Sequence, residues 1–73
     1  MENKSFGFIG GGRVVRILLN AFNSKGKMPQ NVSVSDVNDE VLNNLQRQFP
    51  QISTTKNNLV PANCEYVFLS LHP

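Results

Sequence analysis

At 73 residues, with 40% of them apolar, 16% charged and a net charge of +2, the chain has room for one small domain and is too apolar for a disordered tail. A chain near this length hides only about 60% of the surface its unfolded form exposes, so marginal stability is expected. The seven basic residues are scattered and not interleaved with aromatics, which argues against nucleic acid or an anionic membrane as partner. No apolar run nears the roughly 18 residues of a membrane span, and the opening "MENKSF" lacks the apolar core of a secretory signal, so a cytoplasmic location is expected.

In chain order, Ser5 to Ile9 is a short run containing aromatic and β-branched residues that stops in glycine, as a buried strand does. From Arg13 to Phe22 the positions Val14, Val15, Ile17, Leu18, Leu19, Ala21 and Phe22 form a wide apolar stripe on a helix, with Arg13, Arg16 and Asn20 facing outward. Gly26 and Pro29 end that pattern. Lys25 and Lys27, in the loop at the far end of the helix, read as surface residues. "NVSVSD" alternates Val32 and Val34 with serines and predicts a second strand ending at Asp36.

Asn38 or Asp39 can cap a second helix, in which Val41, Leu42, Leu45 and Phe49 recur at helical spacing until Pro50 stops it. "QISTT" predicts a third strand. Thr55 can cap a brief helical turn from Asn57 to Val60, closed by Pro61, and "EYVFLSL" predicts a fourth strand. The near absence of polar alternation in that last run implies cover on both faces, as in parallel sheets. The order βαβαβαβ needs crossover connections, which are almost always right-handed, so the expected fold is half of an α/β doubly wound Rossmann sheet with strand order 3-2-1-4.

The chemistry concentrates in "FGFIGGGRVV". Gly10, Gly12 and Val15 fill the positions of G-x-G-x-x-G/A, with the third glycine replaced by a branched residue. The motif is weak alone. Here a strand precedes it, a helix opens on it, and Asp36 ends the next strand at about the 20-residue spacing the fingerprint needs. Gly10 would permit the tight turn, and Gly12 would leave no Cβ between the backbone and a diphosphate. The helix N-terminus would supply unpaired N–H groups and the positive end of its dipole. Asp36 would accept hydrogen bonds from an adenosine ribose, welcoming the hydroxyls of NAD and repelling the 2′-phosphate of NADP. The plainer reading makes Asp36 a cap or turn residue and the glycines a strand-to-helix corner. Arg13, in the first turn, reads equally as a phosphate contact or a solvated side chain. Val15 would hold the helix away from the strand unless Gly7 makes room beneath it.

Cys64 is the single cysteine, so no internal disulfide can form, and its place before an apolar run suits a buried or half-buried thiol. His72 has no partner at metal-ligand spacing, so no metal site is expected.

"FGFIGGGRVVRILLNAF", "VSVSDVNDEVLNNLQRQF" and "CEYVFLSLHP" together resemble the N-terminal NAD(P)-binding domain of pyrroline-5-carboxylate reductase and its deazaflavin-dependent NADP oxidoreductase-like relatives. Those proteins typically read G-F-I-G-x-G-N-M-A at the loop and A-V-K-P after the fourth strand. The resemblance implies reduction of a cyclic imine to proline with NAD(P)H. It also implies cofactor contacts at Gly10, Gly12, Arg13, Val14, Asp36, Leu71, His72 and Pro73. Here Arg13 and Val14 stand in place of N-M, Val15 in place of Ala, and His72 in place of Lys. Asp36 and Val37 replace a polar and basic pair often found in NADP-preferring members, so NAD(H) is favoured over NADP(H).

By the same resemblance, residues 1–73 are an N-terminal dinucleotide-binding domain. The substrate pocket and dimer interface of such enzymes come from a helical C-terminal domain, so this chain alone is expected to be catalytically silent. A dinucleotide-sensing module that has lost reductase chemistry is the alternative. An S-adenosylmethionine-dependent methyltransferase fits less well, because its first strand usually carries an acid just before the glycines and "SFGFI" has none. An unpaired apolar fourth strand would invite self-association.

Overall fold

A computed structural model describes residues 4–69. The elements are β1 (Ser5–Ile9), α1 (Arg13–Ser24), β2 (Asn31–Ser35), α2 (Asp39–Gln48), β3 (Ser53–Thr55), α3 (Leu59–Ala62) and β4 (Tyr66–Leu69). The strands form one sheet in the order β3-β2-β1-β4, and each neighbouring pair is parallel. The chain is therefore an α/β, Rossmann-like half-fold of the expected strand order.

Strand pleating sorts the two faces. Phe8 pairs in register with Val34 on one side and Phe68 on the other, so these side chains share a face. Phe6, two residues away, meets Phe22 of α1 at a ring-centroid distance of 6.3 Å, which puts α1 on that face. The core lies beneath α1 and α2 and consists of Phe8, Val15, Leu19, Val32, Val34, Leu42, Leu45, Phe49 and Ile52. Fully burying a side chain of this size is worth about 1.5–3 kcal/mol, and both helices owe their position to these few residues. Gly7 points to the opposite face, where a Cβ would lie 2.1 Å from the carbonyl oxygen of Pro61 in α3.

Local signals fix most helix ends. α1 stops in a Schellman arrangement: Gly26 takes φ 65°, its N–H bonds to the Asn23 carbonyl at 3.1 Å, and the Lys27 N–H bonds to the Phe22 carbonyl at 2.9 Å. For α2 the cap is Asn38 and not Asp39, its Oδ1 accepting from the N–H groups of Glu40 at 2.9 Å and Val41 at 3.4 Å. Asp39 and Glu40 then occupy the first turn and Arg47 the last, each sign matched to the helix dipole.

Several expectations change. The third helix runs over Leu59–Ala62 and so begins later than Asn57 and includes Pro61. Pro61 lies within the opening turn of this short helix, where a missing N–H leaves no helical hydrogen bond unmade. Thr55 acts one step earlier, its hydroxyl accepting from the Asn57 N–H at 3.0 Å. Gly7 makes room for Pro61 and not for Val15, because strand alternation puts it on the far face from α1. Val15 is fully buried on its own side, so its branched side chain is part of the core.

The wide stripe on α1 is also narrower than its composition implies. Val15 and Leu19 are buried and Phe22 is partly covered, while Val14, Ile17 and Leu18 are exposed. β4 is likewise not covered on both faces: Tyr66 to Leu69 are 40–69% exposed, because β4 is the edge strand. Cys64 is half-buried as expected. Among the described residues no helix is long and apolar enough to cross a membrane.

Candidate functional site

Parallel strands bring their C-terminal ends to one edge of the sheet, and three loops meet there. The first leaves β1 through Gly10, whose φ of 99° lies in the left-handed region that side chains avoid. The Gly10 N–H extends the ladder to the Ser35 carbonyl at 2.7 Å. The second loop begins at Asp36, whose own N–H bonds to the Thr55 carbonyl at 3.2 Å. Asp36 is thus anchored between the ends of β1 and β3 before its side chain is considered.

That side chain turns toward the glycines. Asp36 Oδ2 accepts from the Gly11 N–H at 2.8 Å, and Oδ1 accepts from the Asn38 N–H at 2.8 Å. Gly11 is packed tightly: a Cβ there would lie 3.0 Å from Leu45 Cδ1 and 3.2 Å from both Val34 Cγ1 and Val41 Cγ1. The middle one of the three consecutive glycines is therefore a matter of close approach to the core. Gly12 is the N-cap of α1. Among the described residues no side chain caps that end, and no acidic residue stands in its first turn. The amides of Gly12, Arg13 and Val14 are left to an outside acceptor.

The residues expected to bind a cofactor divide accordingly. Gly10, Gly12, Arg13, Val14 and Asp36 lie around this corner, with the Val14 side chain exposed and its contribution confined to the backbone. Leu71, His72 and Pro73 lie outside the described residues. Beside the turn, between α1 and α2, is a cleft of about 190 Å³ walled by Gly11, Gly12, Arg13 and Arg16 on one side and Val41, Asn44 and Leu45 on the other. Arg16 and Asn44 were not singled out from the sequence, although Arg16 follows Arg13 by one helical turn and so shares its face. Nor was Asn58, whose Oδ1 accepts a 2.6 Å bond from the fully buried Ser35 hydroxyl and ties α3 to the end of β2. Among the described residues no cluster could hold a metal ion.

This corner combines a left-handed turn, a helix N-terminus with no side-chain cap and no acidic residue in its own first turn, and the Asp36 carboxylate bonded to the amide just before it. A family model described as "NADP oxidoreductase coenzyme F420-dependent" matches residues 5–73. The chain belongs to this family. No curated protein and no solved structure matches the chain. As a member of this oxidoreductase family, the chain is an NAD(P)-dependent oxidoreductase domain of Rossmann-like fold, and the cofactor class is a nicotinamide or deazaflavin one.

Proposed function

We propose that the chain is the dinucleotide-binding domain of a reductase of the pyrroline-5-carboxylate reductase kind, with the imine held by a further domain. The observation that carries the nucleotide reading is the Gly10–Arg13 turn with Asp36 bonded directly to it. Gly12, Arg13 and Val14 would hold the diphosphate through backbone N–H groups, with the Arg13 side chain beside it, and Asp36 would face the adenosine ribose. The bound nicotinamide supplies the hydride. The imine assignment rests on the resemblance at "FGFIGGGRVVRILLNAF" and "CEYVFLSLHP". Burial of Val15 removes one departure from the family pattern as an objection, since the core accepts the branched side chain.

NAD(H) is favoured over NADP(H). A 2′-phosphate beside Asp36 would meet that carboxylate, with Asp39 and Glu40 following in the first turn of α2. Lys56 offers little relief, because its ammonium pairs with Asp39 at 3.0 Å. Calorimetric titration with NADH, NADPH and S-adenosylmethionine checks this. NADH is expected to bind at least about tenfold more tightly than NADPH, a difference of about 1.4 kcal/mol, which one unfavourable charge contact can supply. Tighter binding of NADPH would reverse the reading of Asp36, and binding of S-adenosylmethionine alone would reject the reductase.

Self-association through β4 belongs to the same proposal. β4 is the edge of the sheet, and its apolar side chains are exposed. Its aromatics extend a row begun on β1: Tyr66 stacks on Phe6 at 5.1 Å and Phe68 on Phe8 at 5.2 Å. An open apolar edge of this kind is a template for another strand. Sedimentation at micromolar concentration is expected to show concentration-dependent association that Phe68→Lys abolishes. A monomeric profile for the parent chain would reject it.

A further inference from the structure

A carboxylate whose sole task was to bind a sugar would keep its oxygens for the ligand. Asp36 instead gives one lone pair of each oxygen to the protein. Oδ2 takes the Gly11 N–H from a loop 25 residues away, and Oδ1 takes the Asn38 N–H at the entrance to α2, both at 2.8 Å. Gly11 also packs against the side chains of Leu45, Val34 and Val41, which would have to shift to admit a Cβ. Its N–H is taken up by Asp36 Oδ2 and so is not offered to an outside anion. The next residue, Gly12, caps α1, so the orientation of the Gly11 peptide sets the direction of the amides that follow. An ionised carboxylate has about four acceptor directions, so two remain for a ligand.

We infer that Asp36 is a positioning residue for the diphosphate turn: by holding the Gly11 amide, it fixes the amides of Gly12 and Arg13 in the orientation an anion needs. This rests on the proposed function only for the identity of the ligand. The role differs from ribose recognition because it extends to ligands that have no sugar.

The test combines three variants, Asp36→Ala, Asp36→Asn and Asp36→Glu, with two probes, ADP and inorganic pyrophosphate, and with amide hydrogen exchange at Gly11 in the ligand-free protein. Asparagine offers one acceptor oxygen and can keep only one of the two bonds. In the parent protein the Gly11 amide is expected to be protected, and Asp36→Ala to speed its exchange by about tenfold or more, the equivalent of one net hydrogen bond. Pyrophosphate affinity of the folded variants is expected to fall about tenfold along with that for ADP, and Asp36→Glu to recover part of both.

If ADP binding falls while pyrophosphate binding and Gly11 exchange are unchanged, Asp36 contacts only the sugar and the inference is overturned. If only the melting temperature falls, its role is merely structural and the inference is again overturned. Should the parent protein bind neither probe, the proposed function fails, and Gly11 exchange in the parent and Asp36→Ala proteins alone upholds or overturns the clamp. Asp36→Leu, of similar size and without any acceptor, serves where the alanine variant does not fold.

Discussion

Gly7→Ala is expected to unfold the domain or leave it barely folded. The new Cβ would lie 2.1 Å from the Pro61 carbonyl oxygen, 2.7 Å from its carbon and 2.8 Å from its Cα. All three are backbone atoms, so no rotamer change relieves the clash, and α3 must move as a unit. Moving α3 also pulls Asn58 from the fully buried Ser35 hydroxyl, leaving a polar group without its partner. The strand that carries Gly7 cannot shift instead, because β1 is paired on both sides, with β2 and β4.

Overpacking costs about 1–3 kcal/mol and occasionally more, and an orphaned buried hydroxyl adds about 1–3 kcal/mol. A small domain has a total stability near the low end of about 5–15 kcal/mol. Each kcal/mol moves the melting temperature of a 60–100-residue domain by about 4–8 °C, so a fall of at least about 10 °C is expected in a thermal scan. Gly26→Ala is the control: nothing lies within 4 Å of its new Cβ, and only the left-handed backbone penalty of about 1–2 kcal/mol applies. A Gly7→Ala protein that melts with its parent would mean that α3 does not rest on β1.

The contrast between Gly7 and Asp36 shows which parts of the structure the sequence makes legible. Element order and strand order follow from hydrophobic period and crossover handedness, and β1 matches its expected bounds residue for residue. The approach of Asp36 to the glycine turn was likewise legible, because parallel strands must end at one edge. What the sequence leaves out is face and partner. Gly7 reads as a small residue near the loop, but only the pleat says that it opposes Pro61 instead of Val15. The Asp36–Gly11 hydrogen bond joins a side chain to a backbone amide 25 residues away, and no periodicity encodes such a contact. Gly11 itself falls on the variable position of the motif and carries no signal of its own until Leu45 and Val41 of α2 are placed behind it. β4 misleads for a related reason: an apolar run specifies what could be covered, while cover depends on which elements stand beside it.

The second large effect falls on binding. Gly10→Ala is expected to abolish tight dinucleotide binding while costing the fold less than Gly7→Ala does. Gly10 has φ 99°, a backbone that a side chain adopts at a cost of at least about 1–2 kcal/mol. Its N–H is held by the Ser35 carbonyl at 2.7 Å, so strain is relieved most easily on the other side, by rotating the peptide between Gly10 and Gly11. That rotation carries the Gly11 N–H away from Asp36 and turns the Gly12 and Arg13 amides from a common focus. A hydrogen bond to a charged group contributes about 1.5–3 kcal/mol, and each 1.4 kcal/mol is about tenfold in affinity. Losing two such bonds therefore weakens NADH by about 100-fold or more in calorimetric titration. The melting temperature is expected to fall by about 4–16 °C, the range that 1–2 kcal/mol gives a domain of this size. Unchanged NADH affinity in a folded Gly10→Ala protein would separate the nucleotide from this turn. Lost affinity at a retained fold would instead locate the diphosphate on the backbone that Gly10 bends into place.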